Sequence, residues 1–334
     1  MDRKQAFVRV EGTDIHFVEL GKGRPLVLLH GLSDSHRTWG KIAPELARTR
    51  RVLMPDLAGH GLSGRPDASY ALAWHARIIA GWLDALDLDD VDIVGHSFGG
   101  GVAQWLLLAH HERIRRLALV ASGGLGRDVM PALRLCAATS FVEHHGQAFM
   151  SWGTRLGMRF SDGAYDPEDI EILSWMNAMP GSARALARTV RDVIDWRGQR
   201  RHFLDRAHEL SDLPPLALYW GDRDNVVPIG HGTEIASKVE GATLTRFDGC
   251  GHFPHRQRPE EFTRAIESFF DAPSLSATRL HDHAVRPSAS RALALRRAPR
   301  RASVWGRVWS SFVAGVRSVV DVRAINVRKG RPSP

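Results

Sequence analysis

Cysteine is scarce. Cys136 and Cys250 are the two in 334 residues, too few for a framework of bridges and spaced like no zinc or CxxC motif. Long apolar runs are missing too: no stretch of about 18 uncharged apolar residues occurs, which argues against a membrane-spanning helix. Met1-Asp2-Arg3-Lys4-Gln5 leads into strand-like alternation, without the apolar stretch and cleavage site of a secretion signal. A reduced, cytoplasmic setting is expected. No His/Cys/carboxylate group has metal-site spacing, so neither a metal nor a cofactor is expected.

Acidic residues run short at one end. Residues 272–334 hold 13 of the 45 Lys and Arg but 2 of the 37 Asp and Glu, a net of +11 in a chain whose total is +8. The first 271 residues carry 32 basic against 35 acidic side chains, a net of −3. The basicity belongs to an appendage, and no nucleic acid is expected as a partner of the body. The appendage is poor in large apolar residues, as disordered segments are. Within it, Trp305, Trp309, Phe312, Val316 and Val320 fall near one helical face over 304–323. The expectation for this tail is a disordered solubilising segment, with weak contact with an anionic membrane surface as the alternative, and nucleic acid would attract the same charges.

Against these gaps stand 43% hydrophobic residues, ample for a buried core. Short apolar runs at 25–29, 51–55, 91–94, 117–120 and 216–220 suit strands buried on both faces, and the early intervals leave room for crossover helices. A parallel sheet is predicted, preceded by an antiparallel hairpin over 7–20 around Gly12-Thr13-Asp14. Between 120 and 216 helices are predicted at 131–145, 167–179 and 182–196. Met130, Phe141, Phe149, Met150, Trp152, Met158, Phe160, Trp175, Met176 and Met179 are expected mostly to form the core of this insert. A last helix is predicted at 259–270.

Gly95-His96-Ser97-Phe98-Gly99 follows the run at 91–94 and precedes a helical pattern from Gly101. Small residues on both sides, Gly95 and Gly99, permit a sharp strand-to-helix turn that lifts the Ser97 hydroxyl to the edge of the sheet. A nucleophilic serine needs a base, and the base needs an acid to orient it. Gly221-Asp222-Arg223-Asp224 follows a strand and offers two carboxylates; Gly249-Cys250-Gly251-His252 offers a histidine in a glycine-rich loop. After 25–29 comes His30-Gly31-Leu32. The amides of Leu32 and Phe98 are the expected donors to a developing oxyanion, with His30 bracing the loop. His60, His75, His96, His110, His111 and His255 are expected to be structural. Cys250 is expected to be a small buried residue, and Gly99-Gly100-Gly101 to serve packing at the turn.

With these residues in order, the chain resembles the α/β-hydrolase family over about residues 5–271. The shared landmarks are His30-Gly31, Asp56-Leu57-Ala58-Gly59-His60-Gly61-Leu62-Ser63, Gly95 to Gly99, Gly221 to Asp224 and Gly251-His252. The resemblance implies an α/β-hydrolase fold, a mostly parallel eight-stranded sheet with a helical lid inserted after the sixth strand. The expected division is a core of 1–123 and 213–271, a lid of 124–212 and the tail of 272–334. The resemblance assigns Ser97, Asp224 and His252 as a catalytic triad, with Asp222 as the alternative acid.

Some branches of the family fit less well. Epoxide hydrolases and haloalkane dehalogenases use an aspartate where this chain has Ser97, and the HGxP loop of the former is absent because Ser33 follows Leu32. Meta-cleavage C–C hydrolases keep the serine but place Trp after the histidine, where Phe253 stands here. Gln257 replaces a Glu of many relatives. The expected activity is hydrolysis of a small apolar ester or related acyl compound. C–C bond hydrolysis and a non-catalytic receptor on the same fold are the alternatives.

Overall fold

The computed structural model describes residues 3–137, 140–159, 161, 163–210, 212–273 and 279–280. Its main sheet contains β1 (Arg3–Val10), β2 (Thr13–Leu20), β3 (Arg24–Leu29), β4 (Arg50–Pro55), β5 (Val91–His96), β6 (Ile114–Val120), β7 (Leu216–Gly221) and β8 (Thr243–Phe247). The order is β1-β2-β4-β3-β5-β6-β7-β8. β2 runs antiparallel to both neighbours, and the strands from β4 across to β8 are parallel. The expected hairpin turns at Glu11 and Gly12, both with positive φ, the left-handed pair of a two-residue turn that matches strand twist. β8 has no strong apolar run: Thr243, Thr245 and Arg246 interrupt it, which hid it from the sequence pattern.

The parallel strands are apolar throughout because each side chain faces one of two covered layers. Val27 and Leu29 of β3 join the cluster containing Ile93, Leu117, Leu119, Leu218 and Trp220. Leu26 and Leu28 join the opposite one, with Val94, Ala118, Val120 and Tyr219. The α-helices longer than one turn are α1 (Leu72–Ala85), α2 (Phe98–Ala109), α3 (Pro131–Ala137), α4 (Phe141–His145), α5 (Met150–Arg159), α6 (Pro167–Asn177), α7 (Ser182–Val193), α8 (Gly230–Lys238) and α9 (Pro259–Asp271), with single turns at Ala43–Leu46 and Pro254–Gln257. α1 and α2 cover the first layer, while α9 covers the second through Phe262, Ile266 and Phe270.

The insert between β6 and β7 departs from expectation in detail. The single helix expected over 131–145 is two, α3 and α4, the second starting after Ser140 at its N-cap. α7 stops at Val193 because Ile194–Asp195 pairs back with Gly198–Gln199, and β-branched Val193-Ile194 favours the extended form. Past Asp271, Arg279–Leu280 pairs with Val239–Glu240, so the expected disorder is corrected at these two residues. The segment 304–323 lies outside the described residues. Among the described residues no helix is long and apolar enough to cross a membrane.

Candidate functional site

β5 ends at His96 and α2 begins at Phe98, so Ser97 alone turns the chain, with φ 52° and ψ −116°. That backbone conformation costs a residue with a side chain roughly 1–3 kcal/mol, and it persists only where the surroundings enforce it. They do so here by close packing. A Cβ on Gly95 would sit 2.6 Å from Gly100 Cα, and one on Gly99 would run into the carbonyl oxygens of Leu29 and His30. The Ser97 N–H donates to Val120 O at 2.9 Å, and Ser97 O accepts from Gly123 N–H at 3.0 Å, which ties the turn to β6. Phe98 heads α2, so its N–H has no carbonyl one turn back and forms part of the positive end of the helix dipole.

The two other motif residues meet. His252 Nδ1 lies 2.8 Å from Asp224 Oδ2, with both residues buried. Asp224 Oδ1 accepts N–H bonds from Val226 and Val227, each 2.9 Å, which hold the carboxylate in place. Asp222 points elsewhere: it accepts from Gly249 N–H at 2.7 Å and pairs with Arg246. An imidazole that donates from Nδ1 to a carboxylate carries its free lone pair on Nε2. Gln257 has a local task as well, because its Oε1 accepts the Gly251 N–H at 2.9 Å and so steadies the loop of His252.

His96 couples this loop to the turn. Its Nε2 donates to His252 O at 2.9 Å, and its ring packs against Trp39, Phe253 and His255. Burial, then the neighbouring His252, pushes His96 well below the usual imidazole range. His255 and His75 are likewise pushed down by burial, and His60 reaches about 3. These rings are neutral scaffold. His30 Nδ1 donates to Gly31 O at 2.8 Å and its Nε2 accepts the Leu57 N–H at 2.9 Å.

His16, His36 and Asp56 form a buried group with metal-like proximity. The carboxylate is already saturated, accepting from His16 Nδ1 at 2.8 Å, from His36 N–H at 2.7 Å and Nδ1 at 3.0 Å, and from Leu62 N–H at 2.9 Å. Both imidazoles donate protons to Asp56, so the group is a structural knot. Burial opposes ionisation of Asp56, yet the bonds from His16 and His36 outweigh it and hold the carboxyl well below the usual range.

The insert touches both flanks of the site. Leu32 packs on the cluster of Val129, Val190 and Ile194, and Phe253 packs on that of Tyr165, Leu173 and Met176. Polar ties reinforce the second contact. Tyr165 donates its hydroxyl to Asp34, and Thr38 Oγ1 lies 2.9 Å from Tyr165 Oη and 3.0 Å from His255 Nε2. Arg256 donates to Asp169 at 2.5 Å and to Ala164 O at 2.8 Å, with its guanidinium 3.9 Å above the Tyr165 ring. Sequence reasoning missed Asp34, Tyr165, Asp169 and Arg256, whose partners lie 87 to 131 residues away. The expectation for the insert's aromatics needs correction: Met150 and Met176 are buried, but Phe141, Phe149, Trp152 and Trp175 are more than half exposed. The insert's helices pack mainly on one another in pairs, α5 on α6 and α4 on α7, which leaves their outer faces uncovered.

Comparison with known proteins agrees with this fold. The family model described as alpha/beta hydrolase fold matches residues 24–259. An uncharacterized protein of Mycobacterium tuberculosis is 35% identical over 280 residues, covering 79% of this chain and 80% of that protein. A 2-hydroxymuconate semialdehyde hydrolase of a Pseudomonas species is 29% identical over 277 residues, covering 79% and 93%. Among solved structures, a carboxylesterase from Bacillus subtilis superposes with a TM-score of 0.69 at 20% identity, covering 82% and 93%. With a sharp serine turn, a histidine–carboxylate pair on strand-following loops and a family match across most of its length, this chain belongs to the alpha/beta hydrolase family.

Proposed function

We propose that the chain is a serine hydrolase cleaving a carboxylic ester, or a related acyl compound with an apolar moiety, through an acyl-enzyme on Ser97. The observation that carries this reading is the 2.8 Å bond between His252 and Asp224 on a loop anchored to His96, the neighbour of Ser97. Ser97 Oγ attacks the carbonyl carbon while His252 Nε2 takes its proton; Asp224 holds the tautomer and stabilises the imidazolium. The oxyanion accepts from the N–H groups of Leu32 and Phe98. Collapse expels the alcohol, which leaves with the proton from His252. Water, activated by the same histidine, then cleaves the acyl ester and frees the acid. The insert over 124–212 serves as the lid, and its clusters against Leu32 and Phe253 supply apolar walls.

A second reading is hydrolysis of a C–C bond, supported by the relative named as a 2-hydroxymuconate semialdehyde hydrolase. Phe253, where such enzymes carry Trp, counts against it. A fluorophosphonate should add once, on Ser97, by intact mass. Rates on nitrophenyl esters should rise from acetate toward medium chains, while a dienoate-forming substrate turned over faster than every ester would establish the second reading. Labelling of Ser97→Ala at the wild-type rate would sink both.

A further inference from the structure

The amino edge of the sheet, opposite the loops of Ser97 and His252, carries a second concentration of charge. Arg24 opens β3, Arg50 opens β4, and Arg115 and Arg116 follow the first residue of β6. β3 and β6 flank β5, whose second residue is Asp92, and β4 lies on the far side of β3. Neighbouring strands lie about 4.8 Å apart, so four guanidinium groups gather over a narrow patch. A cavity of about 360 Å³ opens there, lined by all four arginines, by Thr49, Phe270 and Ala272, and by one carboxylate, Asp271.

The acidic groups nearby leave part of this charge unanswered. Arg50 and Arg115 share the buried carboxylate of Asp92. Arg50 also pairs with Asp271 at the surface, and Arg24 pairs with exposed Asp90 at 2.7 Å. Arg116, only 5% exposed, meets no carboxylate among the described residues; it donates to the carbonyls of Phe269 and Ala272. Arg50, 4% exposed, has an Nε–H with no acceptor among the described residues, and Arg115 Nε is alike. Burial, and then the adjacent Arg115, work against the Arg116 charge. Asp92 attracts Arg116 from a distance, but a buried guanidinium bonded only to carbonyls lacks a direct counter-ion, and an anion in the cavity would supply one.

We propose that this cavity binds the phosphate group of a small phosphorylated molecule or of a lipid headgroup through Arg24, Arg50 and Arg116. Guanidinium forks match phosphate oxygens in pairs, which a carbonyl partner does not exploit. The volume lies at the lower end of ligand pockets, roughly 300–1,000 Å³, so it holds a phosphate together with part of the group that bears it. The site is independent of the reaction proposed for Ser97.

Calorimetry on the full chain with pyrophosphate, at low ionic strength, tests the soluble source. Sedimentation with phosphatidic acid vesicles, against phosphatidylcholine vesicles, tests the lipid source. Arg24→Ala changes a half-exposed rim residue and keeps the fold, while Arg116→Lys retains charge but loses the fork. Each should weaken binding about tenfold, the scale of one charge-assisted hydrogen bond, with ester turnover unchanged. Arginine-dependent binding of pyrophosphate assigns a soluble phosphate ester; arginine-dependent binding of vesicles alone assigns a headgroup. The proposal is overturned if neither probe binds, or if both variants bind as the parent does.

Discussion

The sheet and the helical insert treat their tryptophans differently. Trp39, Trp82, Trp220, Tyr70 and Phe17 are fully enclosed around the sheet, whereas Trp152 and Trp175 of the insert are 59% and 58% exposed. A sheet covered on both faces has two interiors to fill. The insert has small clusters, and each is completed by a residue beside the site, Leu32 in one case and Phe253 in the other. The insert also lends Leu125, Phe203 and Ala207 to the larger core cluster, so the two regions share part of their packing. Arg256, beside the His252 loop, bonds Asp169 of α6 and Ala164 ahead of it, and Thr38 joins Tyr165 to His255.

The sharpest separation of the two regions is at Ser97. Ser97→Ala should lower ester turnover by roughly 10⁴-fold or more with little change in melting temperature, because the strained turn belongs to the core. Ser97→Gly should be equally inactive but more stable by about 1 kcal/mol, since glycine accepts the positive φ. Comparable turnover in both variants and the parent would place the chemistry elsewhere. Next in size, Trp39→Ala should cost about 3–5 kcal/mol in urea unfolding, as deletion of a fully buried Trp does. A loss below 1 kcal/mol would mean that the core is not the rigid partner in the comparison.

Acid should attack the core beneath the site. His30, His60, His75, His96 and His255 all have pKa values lowered chiefly by burial. The unfolded chain binds these protons first, so stability is full above the ordinary value of 6.5 and falls as pH drops below it. Each histidine contributes up to about 1.4 kcal/mol per pH unit. Melting temperatures from pH 8 to 5 check this, and a flat profile would contradict the burial of neutral rings. His75→Phe should reduce the slope by one histidine's share.

Asp34, at the contact with the insert, behaves oppositely to Asp56 in the core. Burial raises the pKa of Asp34, so the native state holds its proton longer and stability declines as pH rises above the ordinary 3.8. Asp34→Asn keeps an acceptor for Tyr165 and should raise the melting temperature at pH 7, whereas Asp56→Asn should lower it. The same sign for both would end the distinction. The smallest effect is expected at the exposed aromatics: Trp152→Ser should change stability by no more than about 0.5 kcal/mol. A larger loss would show that the insert's outer face is packed.

Much of the site was legible because its parts are local. A strand, a glycine-flanked serine and a helix occupy consecutive residues, so the turn at Ser97 announces itself within Gly95 to Gly99. The choice between Asp222 and Asp224 was not local. Both follow β7, and their separation came from packing: the backbone amides of Val226 and Val227 aim Asp224 inward, while Gly249 and Arg246 hold Asp222 away. β8 was missed for a related reason. An edge strand with one half-exposed face carries no continuous apolar run.

The sequence by itself determined the parallel sheet, the serine turn, the histidine loop and the basic appendage, because each is written in periodicity, glycine placement or charge along a short segment. Tertiary structure alone decided that Tyr165 reaches Asp34, that Arg256 clasps Asp169, and that four arginines meet at the amino edge. Polar contacts between residues 42 to 131 apart leave no period in the chain. They exist only where the sheet order brings distant strand ends side by side and burial leaves each polar group no water to bond instead.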